Sequence, residues 1–232
     1  MNIVVIGLAT IIVVLVSYLI YIYYAIGNAV LTKAVNLKNG GTIIQNASLN
    51  NIGISTSSYS LWVYVNQMSA ATNLFQVSVS GKAPYFSLDL NTSSTLSFTA
   101  TDGTGATPVL SNSKSYDITA NFPTQKWVHV FINIDNNKYF DFYINGKLVK
   151  SVSYPNQITI NSKTTNLAIG KNSTSDIIVA KFQRFIYIMS PDKVWSEYMK
   201  GNGIFVPPYN ANITVTKNNQ VVKYMSLFNS QM

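Results

Sequence analysis

Few side chains of this chain could perform acid–base or nucleophilic chemistry. Its 232 residues include one histidine, His129, no cysteine and eight acidic residues, of which only Glu197 is a glutamate. Glycoside hydrolysis requires two carboxylates that flank the scissile bond. Asp89 and Asp141 lie on predicted strands, but neither has another carboxylate two or four positions away. We therefore predict that the chain is not an enzyme and has no catalytic residues.

Metal and cofactor sites are also not indicated. Zinc takes several His or Cys ligands, and an activated nucleophile needs an adjacent base, so the single His129 is expected to be a structural strand residue. Calcium takes oxygen ligands from loops, and Asp102, Asp135 and Asp176 are candidates. All three lie in sequences that are ordinary turn formers. No glycine-rich phosphate loop opens a helix, so we predict no cofactor.

The charge balance limits the possible partners. The net charge is +8, carried by lysines that are scattered along the chain, and arginine occurs once. A nucleic-acid groove would favour clustered arginines, so nucleic-acid binding is not predicted. A diffuse positive field suits an acidic protein partner or anionic lipid headgroups, although solubility alone could also account for it. The lack of cysteine favours a reducing compartment, where disulfides are rare.

The N-terminal stretch has no charged side chain and is the segment expected to hold the rest of the chain at a membrane. Residues 3–26 contain 24 residues without a charged side chain, and about 20 apolar helical residues span a bilayer. Residues 1–27 are therefore predicted to form a transmembrane helix, with a cleaved signal peptide and a buried core helix as alternatives. The residues assigned to this anchor are Ile3, Ile12, Leu15, Leu19 and Ile26, with Tyr18, Tyr21, Tyr23 and Tyr24 as an interfacial belt.

The orientation of this anchor rests on two lysines. Lys33 and Lys38 follow the stretch, and no basic side chain precedes it. The positive-inside rule then places the C-terminal part on the cytoplasmic side of a single-pass membrane protein. Four glycosylation sequons, at Asn46, Asn91, Asn172 and Asn212, matter only if that part faces a lumen.

The remainder has the pattern of short antiparallel strands. Apolar and polar residues alternate in segments 60–66, 86–90 and 96–100, which directs one side of each strand to a core. Turn signals every 8–12 residues or so are typical of a sandwich or jelly roll. Segment 126–152 predicts a three-stranded meander, in which Asn145-Gly146 favours a type I′ hairpin turn.

One long strand and a short helix are predicted near the end. Residues 177–189 are expected to form the strand. Ser190 can cap a helix that has Pro191 at its first position and that ends at Gly201. Its apolar stripe, expected to pack on the rim of the sandwich, comprises Val194, Trp195, Tyr198 and Met199.

Four segments follow from these patterns. Residues 1–27 are the transmembrane helix, 28–41 a linker, 42–203 the β domain and 204–232 a C-terminal extension. The extension is predicted to contain strands near 213–216 and 221–227 and to act as a partner-binding arm. Its candidate contact residues are Pro207, Pro208, Tyr209, Val221, Val222, Tyr224, Leu227 and Phe228.

The order of motifs resembles a known family. The carrying segments are Tyr59–Val65, Lys126–Val130, Phe140–Val149, Asn166–Gly170 and Phe182–Tyr198. Together they are similar to the laminin-G-like, concanavalin A-like jelly-roll domains. The resemblance implies an all-β antiparallel jelly-roll sandwich, here with one N-terminal transmembrane helix and a short C-terminal helix.

Departures from this family pattern affect binding. Some relatives bind calcium and glycans through loop carboxylates. This chain has Gln183-Arg184 where the last strand often carries an acidic pair, and Asn145 where the hairpin often carries Asp. The resemblance therefore does not transfer a calcium site or a carboxylate-based glycan site to these positions.

Three functional hypotheses follow. The first is a non-enzymatic, membrane-anchored structural protein, similar in build to membrane-anchored minor capsid (virion) proteins of large DNA viruses, which would link an internal membrane to a protein shell. Its partners would be a lipid membrane and capsid proteins. The alternative is a membrane-anchored carbohydrate-binding lectin or adhesion module that faces outward and uses Trp62, Tyr64 and Tyr143 as exposed aromatics, unless a second layer or the C-terminal tail covers them. An enzyme or a host-signalling protein is the third and weakest hypothesis.

Overall fold

Two antiparallel six-stranded sheets form the body of the protein. The computed structural model describes residues 10–18, 30–49, 51–103, 108–171, 173–203, 212–217 and 220–226. The chain divides into two compact units, Met1–Asn202 and Gly203–Met232. Sheet A has the strand order β1-β12-β3-β8-β9-β10, and sheet B has the order β2-β11-β4-β5-β6-β7.

The elements of the larger unit follow one another with short connections. The strands are β1 Val30–Asn36, β2 Thr42–Ile44, β3 Ser57–Gln67, β4 Thr72–Val79, β5 Pro84–Leu90, β6 Leu96–Gly103, β7 Pro108–Thr119, β8 Trp127–Asp135, β9 Tyr139–Ile144, β10 Lys147–Ser153, β11 Thr165–Ile169 and β12 Asp176–Phe185. The helices are α1, residues 10–18, and α2, Pro191–Met199, with 3₁₀ turns at Leu37–Asn39 and Asn46–Ser48.

The core lies between the two sheets and is rich in aromatic rings. Phe98 of sheet B is fully buried and packs against Phe86 at 5.9 Å between ring centroids. It also meets Phe140 and Phe142 of sheet A, each at 5.0 Å. The predicted alternation in segments 60–66, 86–90 and 96–100 is confirmed, because their apolar residues line this core.

The predicted meander is confirmed as β8, β9 and β10, paired in sequence order. Its hairpin turn has φ of 50° at Asn145 and 76° at Gly146. These are the two positive angles that a type I′ turn requires, and Asn-Gly adopts them at low cost. Gly146 of this turn lies against Trp195 and Tyr198 in segment 191–199.

Residues 28–41 are not a free linker, which corrects the prediction. Within this segment β1 pairs with β12 along the edge of sheet A. The turn after β1 buries Leu37 completely. A Cβ atom at Gly170, where φ is 67°, would lie 2.4 Å from Leu37 Cδ2. The jelly roll therefore begins before residue 42.

The second correction concerns residues 177–199. Strand β12 ends at Phe185, so residues 186–189 are not part of the predicted long strand. Helix α2 lies on the outer face of sheet A rather than on the rim. Its Val194 is buried in an apolar cluster that comprises Phe131, Tyr143, Phe185, Met189 and Val194. The Asn133 side chain fixes the approach to α2, because it donates to Met189 O at 2.8 Å and accepts from Met189 N at 3.1 Å.

The N-terminal segment is described only in part. In the described ranges, no helix combines the length and the apolar character needed to cross a membrane. The anchor residues Ile12, Leu15 and Tyr18 lie on α1 with exposed side chains. The assigned residues Ile3, Leu19, Tyr21, Tyr23, Tyr24 and Ile26 lie outside the described residues. The membrane anchor remains a prediction.

The smaller unit contains one β-hairpin. Strands β13 Asn212–Lys217 and β14 Gln220–Ser226 pair antiparallel, which confirms the two strands predicted there. The structure describes the backbone of Val221, Val222 and Tyr224. Pro207, Pro208, Tyr209, Leu227 and Phe228 lie outside the described residues. The partner-binding role of this extension remains a prediction.

Candidate functional site

Helix α2 covers an aromatic row on the outer face of sheet A. The ring of Tyr198 stacks on Trp62, with centroids 5.6 Å apart and planes at 19°. Trp62 and Tyr143 are buried, at 7% and 4% exposure, and Tyr64 is half-buried. The exposure that the lectin alternative expects of Trp62 and Tyr143 is wrong, and the alternative of a covering second layer holds for both, because a helix distant in sequence packs over the strand face.

His129 lies in the same covered layer. Its side chain is fully buried, and Nε2 lies 2.9 Å from the hydroxyl of Ser60. Burial, aided by the positive charge of Lys181, lowers the pKa of His129 from 6.5 to about 3. The imidazole is therefore neutral at physiological pH. Among the described residues Nδ1 has no hydrogen-bond partner. This environment agrees with the structural role predicted for the residue.

Trp195 is the aromatic side chain that α2 presents to solvent. The residue is 44% exposed, and its indole lies 5.3 Å from the ring of Tyr198. It also rests on the β9–β10 turn, since a Cβ atom at Gly146 would come within 2.7 Å of Trp195 Cε3. The indole is thus held between a ring and a turn, with one side free.

Further exposed side chains surround this indole. Met199, 65% exposed, lies one helical turn after Trp195 and shares its face of α2. Leu148, 55% exposed, is paired in register with the buried Tyr143, which places it on the side of sheet A that α2 covers. Lys147 directly follows Gly146, but it is paired in register with Ile144, which packs against the core, so it lies on the other side of the sheet. We call Trp195, Met199 and Leu148 the Trp195 platform.

The charge around the platform is positive. Lys181, Lys193 and Lys200 lie on or beside α2, against the acids Asp192 and Glu197. Lys200 forms an ion pair with Glu197. Lys181 donates to Gly201 O at 3.0 Å, just after α2 ends, and burial lowers its pKa while Glu197 opposes that shift.

The outer face of sheet B carries small polar side chains instead of aromatic ones. Asp89 accepts hydrogen bonds from Asn73 Nδ2 at 2.8 Å and from Ser87 Oγ at 2.7 Å. Gln76 Nε2 donates to Ser78 Oγ at 2.8 Å. Because these groups largely pair with one another, this face offers fewer free partners to a ligand than the Trp195 platform does.

The structure brings two carboxylates into one row. Asp89 is paired in register with Ser97, which is paired with Asp117, so both acids share the outer face of sheet B. Two strand spacings separate their Cα atoms by about 10 Å. Sequence spacing could not reveal this pair, which joins β5 to β7. The other two acids considered for catalysis lie elsewhere. Asp141 is on sheet A and accepts a hydrogen bond from Ser151 Oγ, and Glu197 is on α2.

Two of the three calcium candidates, Asp176 and Asp135, have other roles in the fold. Asp176 accepts amide hydrogen bonds from Asn66 at 2.7 Å and Asn36 at 2.9 Å, which link β12 to β3 and β1. These bonds lower the pKa of the Asp176 carboxyl. Asp135 precedes a turn with positive φ at the next two residues. Across the described ranges, no three His, Asp or Glu side chains group in a way that could hold a metal ion.

Comparisons with known proteins agree with this architecture. Residues 38–184 match the family model of the concanavalin A-like lectin/glucanases superfamily. No curated protein sequence matches the chain. Among solved structures, the ligand-binding domain of botulinum neurotoxin serotype D, in complex with N-acetylneuraminic acid, is similar with a TM-score of 0.55 and 16% identity, over 74% of this chain and 43% of that chain.

Two further structures are similar to the same extent. The binding domain of Paraclostridial mosquitocidal protein 1 matches with a TM-score of 0.54 and 16% identity, over 71% of this chain and 42% of that chain. A structure of botulinum neurotoxin type C, a toxin whose cell entry depends on interaction with two ganglioside molecules, matches with a TM-score of 0.54 and 17% identity, over 69% of this chain and 40% of that chain. This chain thus spans less than half of each, and at such identities the likeness shows the fold alone. On the match to residues 38–184, the chain belongs to the concanavalin A-like lectin/glucanase superfamily.

Proposed function

We propose that the jelly-roll domain is a non-catalytic glycan-binding module and that the Trp195 platform contacts the sugar. The observation that carries this proposal is that Trp195 is 44% exposed while its indole packs against Tyr198 and the Gly146 turn. Family membership supports it, as does the similar toxin domain that is in complex with N-acetylneuraminic acid. These comparisons favour the lectin alternative over the capsid-linking hypothesis.

The physical basis is a preformed contact surface. An aromatic face packs well on the apolar C–H face of a sugar ring, and a rigid side chain loses little entropy on binding. Around α2, Lys181, Lys193 and Lys200 outnumber the acids Asp192 and Glu197. This charge favours glycans that carry a carboxylate or another anionic group. The expected ligand class is therefore an acidic glycan.

The proposal also bears on orientation. A glycan-binding domain must face the non-cytoplasmic side, which is opposite to the orientation that Lys33 and Lys38 predict. Residues 3–26 would then tether the domain to a membrane and present it outward. The uncharged stretch and the exposed apolar side chains of α1 support this tether, because a helix that is apolar on every side requires an apolar environment.

Glycan-array binding of the full chain in mild detergent tests the proposal. We expect selective binding to acidic glycans, weakened about tenfold by Trp195→Ala, since one stacking contact of about 1.4 kcal/mol corresponds to that factor. Tyr139→Ala is the matched control, because Tyr139 is 50% exposed and starts β9, whereas the platform lies at the end of β9. Equal loss in both variants, or none in either, would contradict the assignment of the platform.

A further inference from the structure

A short apolar segment is exposed where β12 ends. Ile186, Tyr187 and Ile188 are 45%, 49% and 40% exposed. The segment is nevertheless held in place, because Tyr187 O accepts a hydrogen bond from Ser58 Oγ at 2.6 Å and the Tyr187 ring lies 5.8 Å from that of Phe185. Three consecutive large apolar side chains on the surface are a candidate contact with another apolar phase or molecule.

The position of this segment follows from strand pairing. β1 runs antiparallel to β12, with Val30 opposite Gln183 and Asn36 opposite Ile178. Since the two strands run in opposite directions, the chain leaves β12 at the same end of sheet A at which β1 begins. The exposed segment 186–188 therefore lies at the end of the sheet where the chain enters from its N-terminal stretch.

The entering stretch is the uncharged segment 3–26. Four residue steps separate residue 26 from Val30, and they can span at most about 14 Å. The described part of this stretch, helix α1, exposes apolar side chains on all sides, among them Ile11, Val13, Val14 and Leu15. If segment 3–26 is inserted in a bilayer, the β1 end of sheet A is held close to the bilayer surface.

We propose that Ile186, Tyr187 and Ile188 contact the surface of the lipid bilayer in which residues 3–26 are inserted, as a second membrane contact that orients the sandwich. Isoleucine inserts among acyl chains, and tyrosine is favoured at the headgroup level. The same end of sheet A also carries Tyr139, 50% exposed, with Lys138 Nζ 5.6 Å from its ring centroid. Tyrosine and lysine together are typical of the interfacial zone.

This orientation has a consequence for the Trp195 platform. β9 starts with Tyr139 at the proposed membrane end and reaches the platform hairpin after Ile144. Six residues at about 3.3 Å each place the hairpin about 20 Å farther from the bilayer. The glycan contact would thus point away from the membrane that carries the protein. Asp135 and Lys138 offset each other at this end, as do Asp192 and Lys193 at the start of α2, and Arg184 is buried, so the contact is expected to be mainly apolar and only weakly sensitive to salt.

Spin labelling of the full chain tests the proposal directly. The chain has no cysteine, so Ile186→Cys and Ile188→Cys each introduce a single labelling site. Leu148→Cys is the matched control, because Leu148 is an apolar residue with 55% exposure at the hairpin end of sheet A. Each variant is labelled with a nitroxide and reconstituted in phosphatidylcholine vesicles. Collision rates are then measured with oxygen, which partitions into lipid, and with a water-soluble nickel chelate.

We expect oxygen collisions to predominate over nickel collisions at positions 186 and 188, and the reverse at position 148. Equal nickel access at all three positions would overturn the proposal. Exclusion of both reagents from 186 and 188 would also overturn it, because protein rather than lipid would then cover the segment. Failure of the chain to associate with vesicles would do the same. Glycan binding is measured in detergent, so its outcome is independent of this one.

Discussion

His129 is expected to make the fold sensitive to mild acid. The imidazole lies between sheet A and α2, with the rings of Trp62 and Tyr198 at 5.1 and 6.0 Å. Burial, and secondarily the charge of Lys181, lowers its pKa from 6.5 to about 3. The unfolded chain therefore binds a proton at a pH at which the folded chain does not, and acid favours the unfolded state.

The size of the effect follows from this difference in pKa. The contribution of the neutral His129 is fully present above pH 6.5 and is lost progressively as the pH falls toward about 3. Each pH unit in this window lowers the free energy of unfolding by about 1.4 kcal/mol. At pH 5 the loss relative to pH 7.5 is therefore about 2 kcal/mol, a large fraction of the stability of a typical domain.

The assay is urea unfolding of the full chain in mild detergent, followed by tryptophan fluorescence at pH 7.5, 6 and 5. His129→Gln provides the comparison, because glutamine does not titrate and can keep a hydrogen bond to Ser60. Asp176 and Asp192 have lowered pKa values, so their effects on stability appear only at more acidic pH. We expect the wild-type stability to fall by about 2 kcal/mol from pH 7.5 to pH 5, and that of the variant to stay level.

One result would refute this reasoning. His129 is the only histidine of the chain, so no other imidazole can mask its titration. If the wild type and His129→Gln lose stability in parallel between pH 7.5 and pH 5, the burial of the neutral imidazole beneath α2 does not control the acid response.

Four further predictions concern the platform, the core, the extension and the membrane topology. Gly146→Ala should lower the free energy of unfolding by about 1–3 kcal/mol and weaken glycan binding, because the new Cβ meets Trp195 at 2.7 Å. Gly81→Ala is the control, because its φ strain is similar but its Cβ meets open space, so it should lower stability less and leave binding unchanged. Urea unfolding measures the first effect and glycan arrays the second. Phe98→Ala should lower the free energy of unfolding by about 3–5 kcal/mol in urea titrations, against little change for Leu110→Ala on an exposed side chain. Deletion of 207–232 should leave a monomeric larger unit that still unfolds cooperatively in urea but no longer binds a protein partner, and loss of the cooperative transition would assign the extension to the core. Translation with microsomes should give a mass increase that an N-glycan-cleaving enzyme removes, since the proposed function places sequons such as Asn46 in the lumen. A chain that inserts into the microsomes without a change in mass would support the cytoplasmic orientation instead.

Local patterns predicted much of the sandwich. Alternation in segment 126–152 and the Asn145-Gly146 turn gave the β8–β9–β10 meander, because strand period and turn chemistry are properties of neighbouring residues. Pro191 likewise marked the start of α2. The edge strand β1 was missed, since it closely precedes a Gly-Gly turn and its paired residues on β12 lie 142 to 153 positions away.

The candidate site was the part of the structure that could least be predicted from the sequence. Alternation correctly placed Trp62 and Tyr143 on the strand face opposite the core, but it could not show that α2 covers that face. Trp195 was assigned to the apolar stripe of a helix, and nothing in its neighbourhood indicated that Gly146 would support it from another element. The Asp89–Asp117 row was hidden for the same reason.

The amino-acid sequence by itself determined the class of this protein: an uncharged N-terminal stretch, an antiparallel jelly roll, a single histidine and no cysteine. These follow from composition, period and turn residues, which act over a few positions. Only the tertiary structure decided which aromatic residues are exposed and that segment 186–188 shares an end of sheet A with the entering chain. The reason is physical, because burial and juxtaposition depend on contacts between elements that are far apart in sequence and that exist only once both sheets and α2 have packed.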